Sequence, residues 1–249
     1  MSDASVDAGA ADAKRRQLEA LLRRRAEAAG PGATTESASQ SAGPRDAALS
    51  LGQERLYRVA AMDPGQPFYN VAVAYRLTGP LDTDALRRAV AAIAARHEIL
   101  RTTFPEVDGA PVQRIAPGIE TDAVFRVTDL SGADGTAVAQ AISDELGRVI
   151  DLANGPLWRL ALFREGPDAH VMTLVMHHIV SDGWTFELFL RDLARGYQAE
   201  QAGAPPMDGN EPAPQYAAFA ERQRRESKRA SMEPLREAWA RRLDGPIPP

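Results

Sequence analysis

The hydrophobic and polar positions fall into two textures that meet near residue 47. Before it, large apolar side chains gather at Leu18, Leu21 and Leu22, which share one face with Arg25 at helical spacing. Residues 13–29 around them are strong helix formers and predict a short helix, stopped by Gly30. Residues 1–12 are small and polar and read as a disordered start. Residues 30–46 hold no large apolar side chain and read as a flexible linker.

From Ala47 onward the periodicities are those of a packed domain. Asn70–Leu77 alternates, with Val71, Val73, Tyr75 and Leu77 on one face, and predicts a strand. Asp82 or Thr83 caps a helix in which Leu86, Ala89, Val90, Ile93 and His97 recur at helical spacing. Arg101–Phe104 reads as a strand, Val107-Asp108-Gly109-Ala110 as a hairpin turn, and Val112–Ile115 as its return. Ala123–Val127 predicts another strand, and Thr136–Ile150 a helix with Val138, Ile142, Leu146 and Val149 on one stripe. Leu157–Phe163 and Val171–Met176 are two strands joined around Gly166-Pro167-Asp168, the second apolar on both faces and so central. Trp184–Tyr197 is helical, with Phe186, Phe189, Leu190, Leu193 and Tyr197 inward. Four prolines make residues 201–214 a loop, and Gln215–Leu243 is a long charged helix broken near Pro234. The order implies an α+β lobe over residues 47–200, a mixed β-sheet with flanking helices mainly on one face. Residues 201–249 leave it as a loop and a crossover helix.

Composition narrows the function classes. The 249 residues carry 29 Lys+Arg against 34 Asp+Glu, a net charge of −5, which gives no general nucleic-acid footprint. The segment 13–29 alone is basic, with six basic and two acidic residues; it is either a solvated lone helix or a docking helix for another protein. No cysteine is present, which excludes a disulfide scaffold, a Cys-zinc site and a thiol nucleophile. No run approaches the ~18 apolar residues of a spanning helix, and the N-terminus lacks a signal-peptide pattern. A cytoplasmic protein without membrane or nucleic-acid partners is the simplest expectation.

The chemistry is concentrated in Met176-His177-His178-Ile179-Val180-Ser181-Asp182-Gly183-Trp184. Two histidines leave the end of a buried strand, enter a short turn, and a helix begins. Successive strand residues point to opposite faces, so only one of His177 and His178 faces a given cavity. A neutral histidine can accept a proton from, or orient, an attacking amine or hydroxyl. The helix start offers free backbone N–H groups to a developing oxyanion. Asp182 can cap that helix or pair with an arginine. This combination suits acyl transfer, while a pair of structural histidines at a strand end stands as the alternative. Two alternating histidines and one aspartate are an awkward ligand set for zinc. No phosphate-binding glycine loop and no Gly-x-Ser-x-Gly elbow occurs.

His177-His178-x-x-x-Asp182-Gly183 resembles the signature of condensation domains of nonribosomal peptide synthetases, shared with acyltransferases of the chloramphenicol-acetyltransferase type. Ser50-Leu51-Gly52-Gln53-Glu54-Arg55-Leu56-Tyr57 is similar to the first motif of that family, and Arg96–Phe104 to its second. Gln215-Tyr216-Ala217-Ala218-Phe219-Ala220 resembles a degraded fourth motif. The resemblance covers about residues 47–245.

That resemblance implies a chloramphenicol-acetyltransferase-like fold and amide-bond formation between acyl and aminoacyl thioesters carried on the phosphopantetheine arms of carrier domains, with no cofactor bound by the lobe itself. It assigns the working imidazole to His178 and oxyanion help to the Gly183 N–H. His177, Asp182 and Arg101 are structural, with Arg101 the expected partner of Asp182, and Trp184 contacts substrate. The family builds its domain from two similar lobes around a tunnel. This sequence covers the first lobe and the start of the crossover, so a second condensation lobe is an expected partner and the lobe alone is expected to be inactive. A possible upstream synthetase subunit would dock on residues 13–29. The alternatives are a non-catalytic scaffold module and half of a CoA-dependent acyltransferase. Gly52 and Tyr57 depart from the commoner choices in the first motif.

Overall fold

A computed structural model of the chain describes residues 43–63, 65–204, 213–229 and 233–245. The expected disordered start, the helix over 13–29 and most of the linker lie outside the described residues. The linker's end is shorter than expected: Arg45–Ala47 forms a strand, β1.

The central sheet has four strands, in spatial order β2 (Asn70–Thr78), β9 (Ala169–His177), β8 (Trp158–Gly166) and β7 (Phe125–Asp129). Neighbours among the first three are antiparallel, and β7 runs parallel to β8. β9 is central and nearly all of it is buried, as its apolar run predicts. Alternation then divides its residues between two layers. Met172, Leu174 and Met176 face α2 (Thr83–Arg96) and α5 (Gly183–Gln201), in a core with Trp158, Phe186 and Phe189. Val171 lies on the other face, in a cluster with Ala161 and Phe163 against which Ile142 of α4 (Gly135–Gly147) packs. The buried Arg159 ties α4 down: it pairs with Glu145 and donates to the carbonyls of Glu145 and Arg148 at 2.7 and 2.8 Å. Those orphan carbonyls at a helix C-terminus favour a cation.

Several predicted boundaries move for local reasons. The strand expected at Arg101–Phe104 begins as a 3₁₀ turn, Glu98–Arg101, in which Thr102 Oγ1 bonds the Glu98 carbonyl; only Thr102–Thr103 (β3) is extended. The turn at Asp108 and Gly109 does form, both at positive φ (52° and 75°), between β4 (Glu106–Val107) and β5 (Ala110–Pro111). Its return ends at Pro111, which lacks an N–H. Gln113–Ile115 (β6) instead joins β1 and β3 in a separate sheet. The strand expected from Ala123 starts at Phe125, after one helical turn, Thr121–Val124 (α3). α4 stops at Gly147, short of Ile150.

The first-motif segment is α1, Leu51–Met62. A capping box starts it: Gln53 N–H donates to Ser50 Oγ at 3.1 Å, and Ser50 N–H to Gln53 Oε1 at 2.9 Å. Of the expected charged C-terminal helix, two stretches are described, α6 (Tyr216–Arg229) and α7 (Glu233–Arg242), with Pro234 in the first turn of α7. α6 is bound to the lobe through Ser50 Oγ with Tyr216 OH at 3.0 Å, and through Arg224, which donates to the Leu49 carbonyl and pairs with Glu54. No described helix is long and apolar enough to cross a membrane.

Candidate active site

The strand register sets the position of the histidines. His177 lies opposite Asn70 at the end of the β2–β9 ladder, and its N–H bonds the Leu157 carbonyl at 2.9 Å. One residue on, the His178 N–H bonds the Tyr69 carbonyl at 2.7 Å. Both backbones are held by neighbouring strands, so the two rings take opposite sides, as the alternation requires.

His177 is buried. Its Nδ1 accepts from Ile179 N–H at 3.1 Å, and its ring lies against Tyr69. Burial, and secondarily the neighbouring His178, lower its pKa to about 4, so it is neutral and structural near pH 7. His178 is exposed, and its Nδ1 sits 2.6 Å from the Ser181 carbonyl oxygen. A carbonyl only accepts, so Nδ1 of neutral His178 holds the proton and Nε2 carries the lone pair. The turn itself is stapled, since Ser181 Oγ donates to the His177 carbonyl at 3.1 Å and Val180 N–H to the same oxygen at 3.0 Å. Gln53 supports it from α1, with Nε2 near the Ile179 carbonyl at 3.4 Å and Gln113 Oε1 at 3.2 Å.

Asp182 caps α5. Its Oδ1 accepts from Thr185 N–H at 2.9 Å and Thr185 Oγ1 at 2.8 Å. The expected pairing with Arg101 does not form. Arg101 donates to the Ala116 carbonyl and lies 3.7 Å from Glu98, and burial lowers its pKa. The capping geometry wins because Asp182 already has two donors within its own helical turn. Gly183 and Trp184 open the helix, so their N–H groups have no intrahelical acceptor. A Cβ built on Gly183 would meet nothing within 4 Å, and Trp184 is 65% exposed.

His178, Asp182 and Trp184 border a groove of about 660 Å³. His178 and Ser181 line it, and so do His97, Asp192 and Gln215. Leu188, Phe189 and Ile99 give it apolar walls, and Tyr216 and Phe219 of α6 close a side. Sequence reasoning missed Asp192 and Gln215 as lining groups. Asp192 had a local signal, a carboxylate one turn after Leu188 beside the inward stripe of α5. Gln215 had only its place in the segment resembling the fourth motif: its contacts, Glu98 N–H at 2.9 Å and the Arg96 carbonyl at 3.0 Å, are to residues far away in sequence. Among the described residues no group of three or more His, Cys, Asp or Glu can hold a metal ion.

A four-stranded mixed sheet whose central strand delivers an exposed histidine to a helix N-terminus matches known proteins. The family model for the condensation domain matches residues 44–249, and the chain belongs to that family. It is 40% identical over 223 residues to a linear gramicidin synthase protein of Brevibacillus parabrevis, a match covering 88% of this chain and 3% of that protein. It is 35% identical over 256 residues to phosphinothricin tripeptide synthetase PhsC of Streptomyces viridochromogenes, covering all of this chain and 23% of that one. The starter condensation domain of rhizomide synthetase RzmA superposes with a TM-score of 0.70 at 24% identity, over 82% of this chain and 49% of that structure, which establishes the shared fold. The chain therefore spans a small part of the synthetases it matches and about half of the solved condensation domain.

Proposed function

We propose that the chain is the His178-bearing half of a condensation domain, forming an amide bond between two carrier-bound thioesters. The observation that carries this is the Ser181 carbonyl on His178 Nδ1, which leaves the Nε2 lone pair directed away from the protein's own acceptor and available at the groove. In the reaction an acceptor amine attacks the donor thioester carbonyl, the C–N bond forms, and the C–S bond breaks. Nε2 of His178 orients the amine and takes its surplus proton, which passes to the leaving thiolate. The N–H groups that open α5 at Gly183 and Trp184 face the charge that develops on the carbonyl oxygen.

Both substrates arrive on phosphopantetheine arms, so carrier domains are the partners, and a second condensation lobe completes the tunnel over the groove. Water exclusion by that lobe is needed for the electrostatic effect, so the lobe alone transfers slowly or not at all. Docking of an upstream subunit through residues 13–29 and a cytoplasmic location belong to the same reading.

The test is single-turnover transfer from a donor acyl-carrier to an acceptor aminoacyl-carrier, followed by intact mass, with His178→Ala alongside. Transfer that appears on adding a second-lobe chain and vanishes in the variant supports the reading. Transfer unchanged in His178→Ala, or absent even with the second lobe, overturns it.

A further inference from the structure

Two histidines and two carboxylates line the groove. His178 has its part in the transfer proposed above, and Asp182 is occupied in capping α5. His97 and Asp192 are left. His97 ends α2, and its Nε2 lies 3.5 Å from Oδ2 of Asp192 on α5. The Asp192 side chain is 13% exposed. His97 is held below the ordinary imidazole range, by burial first, with the Asp192 carboxylate opposing. It therefore adds no full positive charge beside Asp192 near pH 7. Arg191 donates from Nε and Nη2 to Asp192 Oδ1 at 3.2 and 3.1 Å, but it does not line the groove and is half exposed, where an ion pair is worth little. Arg222 also borders the groove, exposed and set over the Phe219 ring. A mostly buried carboxylate beside apolar walls, whose paired arginine lies outside the groove, can take a second cation from the groove side.

Position on the helix says which cation. Thr185 and Asp192 both line the groove, and seven residues of α-helix separate them by about 10 Å. Leu188 and Phe189 lie between them on the helix, so the face of α5 in the groove runs from Thr185 over apolar side chains and ends in a negative charge. A long methylene chain tipped with an ammonium fits that sequence of environments, stem on apolar wall and head on carboxylate.

Resting on the reading of the groove as an acyl site, we infer that Asp192, steadied by His97, is a specificity-determining residue that selects aminoacyl groups with a basic side chain, of the lysyl or ornithyl type.

The test is calorimetric titration of the full chain with two non-transferable ligands, the Nα-acetyl-lysyl and Nα-acetyl-norleucyl amides of aminopantetheine. They differ in the terminal ammonium. The lysyl ligand should bind roughly tenfold tighter to the native chain. Asp192→Asn should abolish that preference with norleucyl affinity kept. Equal binding of both ligands to the native chain, or a preference that survives Asp192→Asn, overturns the inference. The native-chain comparison needs no variant, so it decides the matter even if the substitution unfolds the lobe. Norleucyl binding without preference removes the specificity role and leaves the acyl groove standing. Failure of both ligands to bind removes the specificity role and the acyl groove together, whereas the carrier assay above decides the role of His178 separately.

Discussion

The Nδ1 of His178 lies 2.6 Å from the carbonyl oxygen of Ser181, three residues further along the same turn. The contact decides which nitrogen of the ring is free, because a carbonyl can only accept. The adjacent His177 is held the other way round, its Nδ1 accepting from Ile179 N–H. The two neighbours thus take opposite tautomers. Long-range ¹⁵N–¹H correlation spectra at pH 7.5 should report Nδ1–H for His178 and Nε2–H for His177. The same tautomer at both would remove the geometric basis for a proton-accepting Nε2.

Asp182 owes its position to helix capping. Asp182→Ala removes the acceptor for Thr185 N–H and should lower stability by about 1 kcal/mol, whereas Asp182→Asn should keep most of it. Urea melts of the two variants distinguish this from the larger loss of about 3 kcal/mol or more expected from breaking a buried ion pair with Arg101.

Gly183 has room for a side chain and does not sit at positive φ, so neither packing nor backbone conformation demands glycine there. Gly183→Ala should leave the melting temperature equal or slightly higher, since alanine is the better helix former. A Cβ would nonetheless fill the open space above the first N–H of α5. Carrier-to-carrier transfer with a second lobe present should therefore fall in this variant while the fold holds. Native-like transfer would show that substrate does not approach α5 at this point.

His177 makes stability depend on pH. Its folded pKa, about 4, lies below the ordinary value of 6.5, so the unfolded chain binds the proton more readily. Stability is full above pH 6.5 and falls as pH drops towards 4, by at most about 3 kcal/mol from this residue. His97, also lowered, adds in the same direction. In His177→Asn, whose side-chain oxygen can still accept from Ile179 N–H, denaturation midpoints should decline less steeply between about pH 6.5 and 4.5. An unchanged slope would assign the acid sensitivity elsewhere.

Much of the lobe was legible because its signals are local. The alternation of Asn70–Leu77, the inward stripe through Leu86, Val90 and Ile93, and the doubly apolar Val171–Met176 each reflect burial of a single element, and each element formed. The strand-turn-helix context of His177 and His178 was equally local, and the period of two along a strand put their rings on opposite sides, while the family resemblance pointed to His178 as the working one. Errors of one or two residues arose where a short-range bond competes with the pattern, as at Thr102 and Pro111.

What remained hidden depends on contacts between distant segments. Whether Asp182 meets Arg101 is a question of reach across the fold, and the sequence holds both a capping and a pairing answer. Asp192 and His97 stand far apart in the chain and meet only because α2 and α5 pack on one face of the sheet. Gln215 turns the start of α6 into a wall of the groove by bonding Glu98 and Arg96. Residue order by itself determined the elements, the paired histidines and the helix start beside them, because each is set by neighbours within a turn or two. Only the tertiary structure decided which charges face the groove, because a side chain's partner is set by helix packing and strand register, which no local period encodes.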